Sequence, residues 1–160
     1  MGPKPTVVVM KAPDTVRQAT LLWATAVAAG IVETVLAVSE IAMESSLDSG
    51  VYLNIGLRSA VYIGAAVLIA AFAGGRRWAR ASLAVLLSVI GLGAMVVPSA
   101  MHLYDGAPLI EAVGGDGRFA LAFFVTRSAH IAAVLIATGL MFSPSANRHF
   151  RKRTLEPAAA

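Results

Sequence analysis

The sequence predicts an all-α membrane protein, a four-helix transmembrane bundle with both termini on the cytoplasmic side. Three observations carry that prediction. First, 58% of the 160 residues are hydrophobic and only 14% are charged, where an ordinary soluble domain has about a quarter charged. Second, the apolar residues fall into serial runs of about twenty, the length that crosses about 30 Å of hydrocarbon at 1.5 Å per residue. Third, basic residues gather on alternate connections. The connections are too short to hold a soluble domain, so residues 1–160 read as a single integral membrane domain with spans at approximately 19–43, 51–73, 79–98 and 119–142.

In chain order, Met1 to Pro13 carry Pro3, Pro5 and Pro13, which forbid a continuous helix and predict an extended segment at or near the membrane. Asp14 or Thr15 is then expected to cap a helix that enters the bilayer near Ala19 and reaches Met43. Trp23 is expected at the headgroup level, where an amphipathic ring is favoured. A cleaved signal peptide fits poorly, because Glu33 interrupts the apolar run and the run exceeds the usual core of about 7 to 15 residues. The first span is therefore expected in the mature protein.

Ser45 to Gly50 form a polar, acidic connection, and the second span, Val51 to Ala73, contains Asn54 and Arg58. Gly74 and Gly75 end it, and Arg76, Arg77, Trp78 and Arg80 make a basic hairpin. The third span carries no charge but holds Ser82, Ser88, Gly91 and Gly93, small residues that let helices approach closely. Pro98 marks its end or a kink. In the longest connection, Ala100 to Arg118, Pro108 to Val113 predict one or two helical turns before the turn-forming stretch Gly114 to Gly117. The fourth span, Phe119 to Phe142, carries Arg127 and His130, and Ser143 and Pro144 close it.

Orientation follows from the bases. Lys4, Lys11 and Arg17 precede the first span, Arg76, Arg77 and Arg80 separate the second from the third, and Arg148, Arg151, Lys152 and Arg153 follow the fourth. The positive-inside rule puts those segments in the cytoplasm and the connections with Asp48 and Asp105 outside. The terminal bases are dense enough to contact anionic lipid headgroups.

Candidate functional residues are the charges inside the spans. Glu33, Glu40 and Glu44, at offsets of seven and four, share one helical face. Such groups are retained at membrane depth mainly where they face protein or water. At 1.5 Å per residue, Arg58, Arg127, Glu33 and His130 lie about 10 to 16 Å, and Glu40 about 5 Å, below the outer boundary. The expected pairs are Glu33 with Arg127 and Glu40 with Arg58, since guanidinium forks suit carboxylates. His130, three residues after Arg127, shares its face and reads as a hydrogen-bonded imidazole.

Several chemistries are excluded. With no cysteine there is no disulfide exchange, thiolate metal site or cysteine nucleophile. Phosphate-loop, serine-hydrolase elbow, zinc-protease and paired-histidine haem patterns are missing, and no internal repeat suggests an inverted-repeat transporter. His102, Asp105, Glu111 and Asp116 match no recognised metal loop, so neither metal nor cofactor is expected. The net charge of +4 sits at span ends, which reads as topology rather than nucleic-acid binding. The expected function is a non-enzymatic accessory or assembly subunit of a larger envelope complex, with a membrane-protein partner or a second copy of itself. The alternative is a small transporter or ligand-binding bundle that uses Glu33 with Arg58 and Arg127 near an outer-half cavity. A third reading, an enzyme acting on lipid, rests on His102 and the outer-loop acids.

Two stretches, V-R-Q-A-T-L-L-W at Val16 to Trp23 and G-R-R-W-A-R-A-S-L-A-V-L at Gly75 to Leu86, resemble small, mostly uncharacterised four-span membrane proteins of actinobacteria. The resemblance implies an inner-membrane location and a four-helix fold, and assigns no reaction to Glu33, Arg58 or Arg127.

Overall fold

The computed structural model of the protein describes residues 12–152; the proline-rich start with Lys4 and Lys11, and the tail from Arg153, lie outside the described residues. Helix α1 spans Asp14–Glu44, α2 spans Ser49–Ala73 and α6 spans Ala120–Met141. Between α2 and α6 the third span, Arg77–Tyr104, comprises α3 (Arg77–Leu83), a π-helical segment (Ala84–Gly91) and α4 (Leu92–Tyr104). Short α5 (Leu109–Gly114) precedes α6, and α7 (Pro144–Lys152) follows it. Four of these helices are long and apolar enough to cross a membrane. The chain is thus an all-α, multi-pass membrane bundle. Its ends are called here basic, holding Pro13, the turn after α2 and α7, and acidic, holding Asp48 and Asp105.

Two helix starts show how local chemistry sets them. Asp48 caps α2, its Oδ1 accepting from the Val51 amide at 2.9 Å. Neither Asp14 nor Thr15 caps α1; Pro13 holds that position without a side-chain bond, its fixed φ of −56° leading directly into the helix. Asp14 instead pairs with Arg17 at 3.7 Å, and the Thr15 hydroxyl bonds Ser145 on α7 at 3.0 Å.

The third span also runs beyond its expected end, through Pro98 to Tyr104. Proline costs a helix one backbone bond, and neighbouring hydroxyls re-satisfy such gaps in membrane helices. Ser99 adds a bond beside the gap, donating to the Met95 carbonyl at 3.1 Å, one residue on from the Ala94 carbonyl that Pro98 leaves without its usual amide.

Packing centres on the antiparallel pair α1 and α6. The buried residues of α1, Val16, Ala19, Trp23, Ala26, Gly30 and Glu33, recur at alternating steps of three and four. On α6, Phe123, Val134, Ala137 and Met141 keep the same rhythm with Arg127 and His130 between them. That is the seam of two helices wound about each other. It also corrects Trp23, which lies fully buried in the core instead of at the headgroups because it occupies a seam position. The second span packs on α1 and the third on α2, with the π segment touching α6. Coverage is uneven: 28% of the apolar window of α1 is buried inside the protein but only 6% of that of the third span.

At the basic end α7 folds back under the bundle. Phe150 is buried and stacks on Phe72 of α2 with ring centroids 5.4 Å apart. The Arg80 guanidinium lies 4.4 Å from the Phe142 ring and bonds the Asn147 carboxamide oxygen. What read as a basic tail is a docked helix, with Arg148 and Arg151 exposed on its outer face.

Candidate functional site

The seam between α1 and α6 becomes polar at Glu33. Its carboxylate is buried, and both oxygens are engaged by α6: Oε2 accepts from Arg127 Nε at 3.3 Å, and Oε1 meets His130 Nδ1 at 3.0 Å. Arg127 and His130 are three apart, so one helical face presents both to the same carboxylate. Arg127 is further held by α5, donating from Nη1 to the Val113 carbonyl at 2.7 Å. A carboxylate accepts only, so the bond assigns the proton to Nδ1 and leaves Nε2 of a neutral ring as an acceptor.

The other expected pair does not form. Arg58 lies exposed on α2, donating from Nε to Asn54 at 2.9 Å and from Nη1 to the Thr34 hydroxyl at 3.4 Å. It has no carboxylate partner among the described residues. Glu40 turns instead to the start of α6, where Oε1 accepts from the Phe119 amide at 3.5 Å. There the carboxylate fills the space above Gly117 that any Cβ would overlap. The free amides and positive end of a helix N-terminus attract a carboxylate, which explains the choice. Glu44, on the same face, is exposed.

A neutral polar layer adjoins Glu33. Tyr62 of α2 donates to the Gly30 carbonyl at 2.6 Å, and its hydroxyl lies 2.6 Å from Thr34 Oγ1, which also reaches that carbonyl at 2.9 Å. A Cβ on Gly30 would sit 3.0 Å from Tyr62 Cε1 and 3.4 Å from His130 Cε1, so glycine admits both rings against the α1 backbone. Tyr62 and Thr34 escaped the sequence reading; the glycine one turn before Glu33 and the threonine directly after it were the available signal.

At the acidic end a cleft of about 270 Å³ is lined by Ser99, His102, Glu111, Asp116 and Arg127. Three of the four loop residues considered for metal therefore share one cleft, and Asp105 does not line it. No group of three His, Cys, Asp or Glu side chains suited to a metal ion occurs among the described residues. The terminal bases stand apart from this site, with Arg148 and Arg151 exposed at the opposite end, on α7.

Fold and site together define a class: an integral-membrane four-helix bundle pinned by a carboxylate shared between an arginine and a histidine. Compared with family models, curated proteins and solved structures, the chain matches none.

Proposed function

We propose that the protein is a non-enzymatic accessory or assembly subunit that docks to a larger complex of the inner membrane, with both termini cytoplasmic. The observation that carries this reading is Arg58. Its guanidinium lies within a membrane span, exposed, with an amide and a hydroxyl as its partners. An arginine at membrane depth costs about 2.5 to 3.5 kcal/mol on insertion scales and is retained where a counter-charge meets it. A carboxylate on a neighbouring membrane helix supplies that charge. The sparse cover of the third span leaves further apolar surface for the same partner.

The test is purification in mild detergent. A stoichiometric partner is expected with the native protein, and its recovery should fall about tenfold or more with Arg58→Gln, as the loss of about 1.4 kcal/mol or more requires. A solitary monomer or a symmetric homo-oligomer would sink the reading.

One observation favours the second reading, a small transporter or ligand-binding bundle. Arg127 belongs both to the acidic-end cleft and to the Glu33 cluster, so a solute in the cleft would lie one side chain from the buried carboxylate. A protonated-carboxyl infrared band that vanishes on alkaline titration, and is missing in Glu33→Gln, would support it over the first.

A further inference from the structure

An apolar groove of about 570 Å³ opens to the membrane between α2 and the third span, walled by Gly64 and Leu68 on one side and Leu86 and Ile90 on the other. A deeper cavity of about 120 Å³ continues from it, sharing Val61, Ala65, Leu87 and Gly91, and ends at Tyr62 and His130. Both are walled by α2, at Val61 and Ala65, and by the π-helical segment Ala84–Gly91, at Leu87 and Gly91. Single π turns recur at functional sites because the wider coil opens one side of the helix.

The polar end of this otherwise hydrocarbon space has a definite character. His130 Nδ1 is committed to Glu33, and Nε2 has no hydrogen-bond partner among the described residues. The Tyr62 hydroxyl is already engaged on both sides, donating to the Gly30 carbonyl and lying 2.6 Å from Thr34 Oγ1. The acceptor left over in the neutral state is therefore His130 Nε2, and its complement is a donor. Depth narrows the donor further. His130 lies ten residues into α6 from Ala120, about 15 Å along the helix and close to the middle of about 30 Å of hydrocarbon. A charged or zwitterionic headgroup is excluded there by its desolvation. A lone hydroxyl can reach that depth and gains a partner on arrival. A pocket of about 150 Å³ accommodates a benzene-sized group, which limits the head to a small ring or less.

We infer that groove and cavity form a binding site for a neutral membrane amphiphile with a hydroxyl-bearing head and a long hydrocarbon chain. The hydroxyl donates to His130 Nε2 beside Tyr62, and the chain lies in the groove between α2 and the π segment. Arg58 meets this site only through Thr34, which it contacts at 3.4 Å and which lies 2.6 Å from the Tyr62 hydroxyl.

Photolabelling of the full-length protein in nanodiscs tests it, with a long-chain primary alcohol bearing a chain diazirine and the matched alkane bearing the same diazirine. The alcohol should crosslink to the stretches Val61–Leu68 and Leu86–Gly91, and unlabelled alcohol should compete. Labelling should fall about tenfold in His130→Phe, the effect of losing one well-formed hydrogen bond. Because His130 also holds Glu33, that variant can fail to fold, and Gly64→Phe supplies the independent control. A Cβ at Gly64 meets nothing within 4 Å, so the ring fills the groove without entering the core. Gly64→Phe should abolish labelling at unchanged thermal stability. Equal labelling by alkane and alcohol, or undiminished labelling of Gly64→Phe, would overturn the inference and mark the groove as ordinary lipid contact.

Discussion

Glu33 is held on its two oxygens by groups of different kind, a permanent cation and an imidazole, and its burial makes the loss of either one expensive. Removing one member of a buried ion pair strands the other in a medium that solvates it poorly, whereas replacing both with apolar residues is often tolerated. Glu33→Leu is therefore expected to cost about 3 kcal/mol, and Arg127→Leu in the same background to recover most of it. Thermal unfolding of the single and double variants in detergent checks this; strictly additive losses would show that the two side chains act separately. Gly30 belongs to the same scale. Its absent Cβ admits Tyr62 and His130, so Gly30→Val should uncouple α2 from α1 and lower the unfolding temperature in the same assay.

Between helices the contacts are set by short elements that the spans carry at their ends. Gly114 closes α5 directly over the start of α6, where a Cβ would collide with the Ala120 carbonyl and the Phe124 amide. Neither is a flexible side chain, so Gly114→Ala must shift backbone, and a cost of about 2 kcal/mol or more is expected, together with loss of the Val113–Arg127 bond. Destabilisation well beyond that of an Ala substitution at exposed Gly115 would separate close packing from glycine's general flexibility. At the other end, α7 is anchored by Phe150 against Phe72. Phe150→Ala should release it, and the absence of native cysteine makes a labelling test clean. A single cysteine at buried Ala146 should react slowly with a maleimide in the native background and much faster in the Phe150→Ala background.

Across the whole molecule, the prediction is topological: from the bases on alternate segments, both termini are expected on the cytoplasmic side. Reporter fusions at Ser49 and Ala107 should read external and a fusion after Gly74 internal. A consistent internal signal at Ser49 would reverse the orientation. The bundle is asymmetric in its cover: α1 and α6 pack along a continuous seam, and the second and third spans leave a groove between them. Membrane-facing apolar surface is stable in lipid and needs no partner, so the features that distinguish this surface are polar, Arg58 on α2 and His130 with Tyr62 at the groove's end.

Hydropathy and helical period are local properties, and from them the sequence alone determined the four spans, the short helix starting near Pro108 and the common face of Glu33 and Glu40. Which side chain meets which was decided by the rotation and depth of whole helices. The heptad seam turns Glu33 toward Arg127 and His130, while Glu40, two turns on, falls level with the N-terminus of α6 and takes the Phe119 amide in place of Arg58. The same seam draws Trp23 from the interface into the core. The fold-back of α7 rests on Phe72, Arg80 and Phe150, residues brought together only when three separate segments meet at one end of the bundle. A composition with three cations in nine residues conceals that contact, because Arg148 and Arg151 face outward and the single apolar stripe of a nine-residue helix has meaning only against the surface it covers.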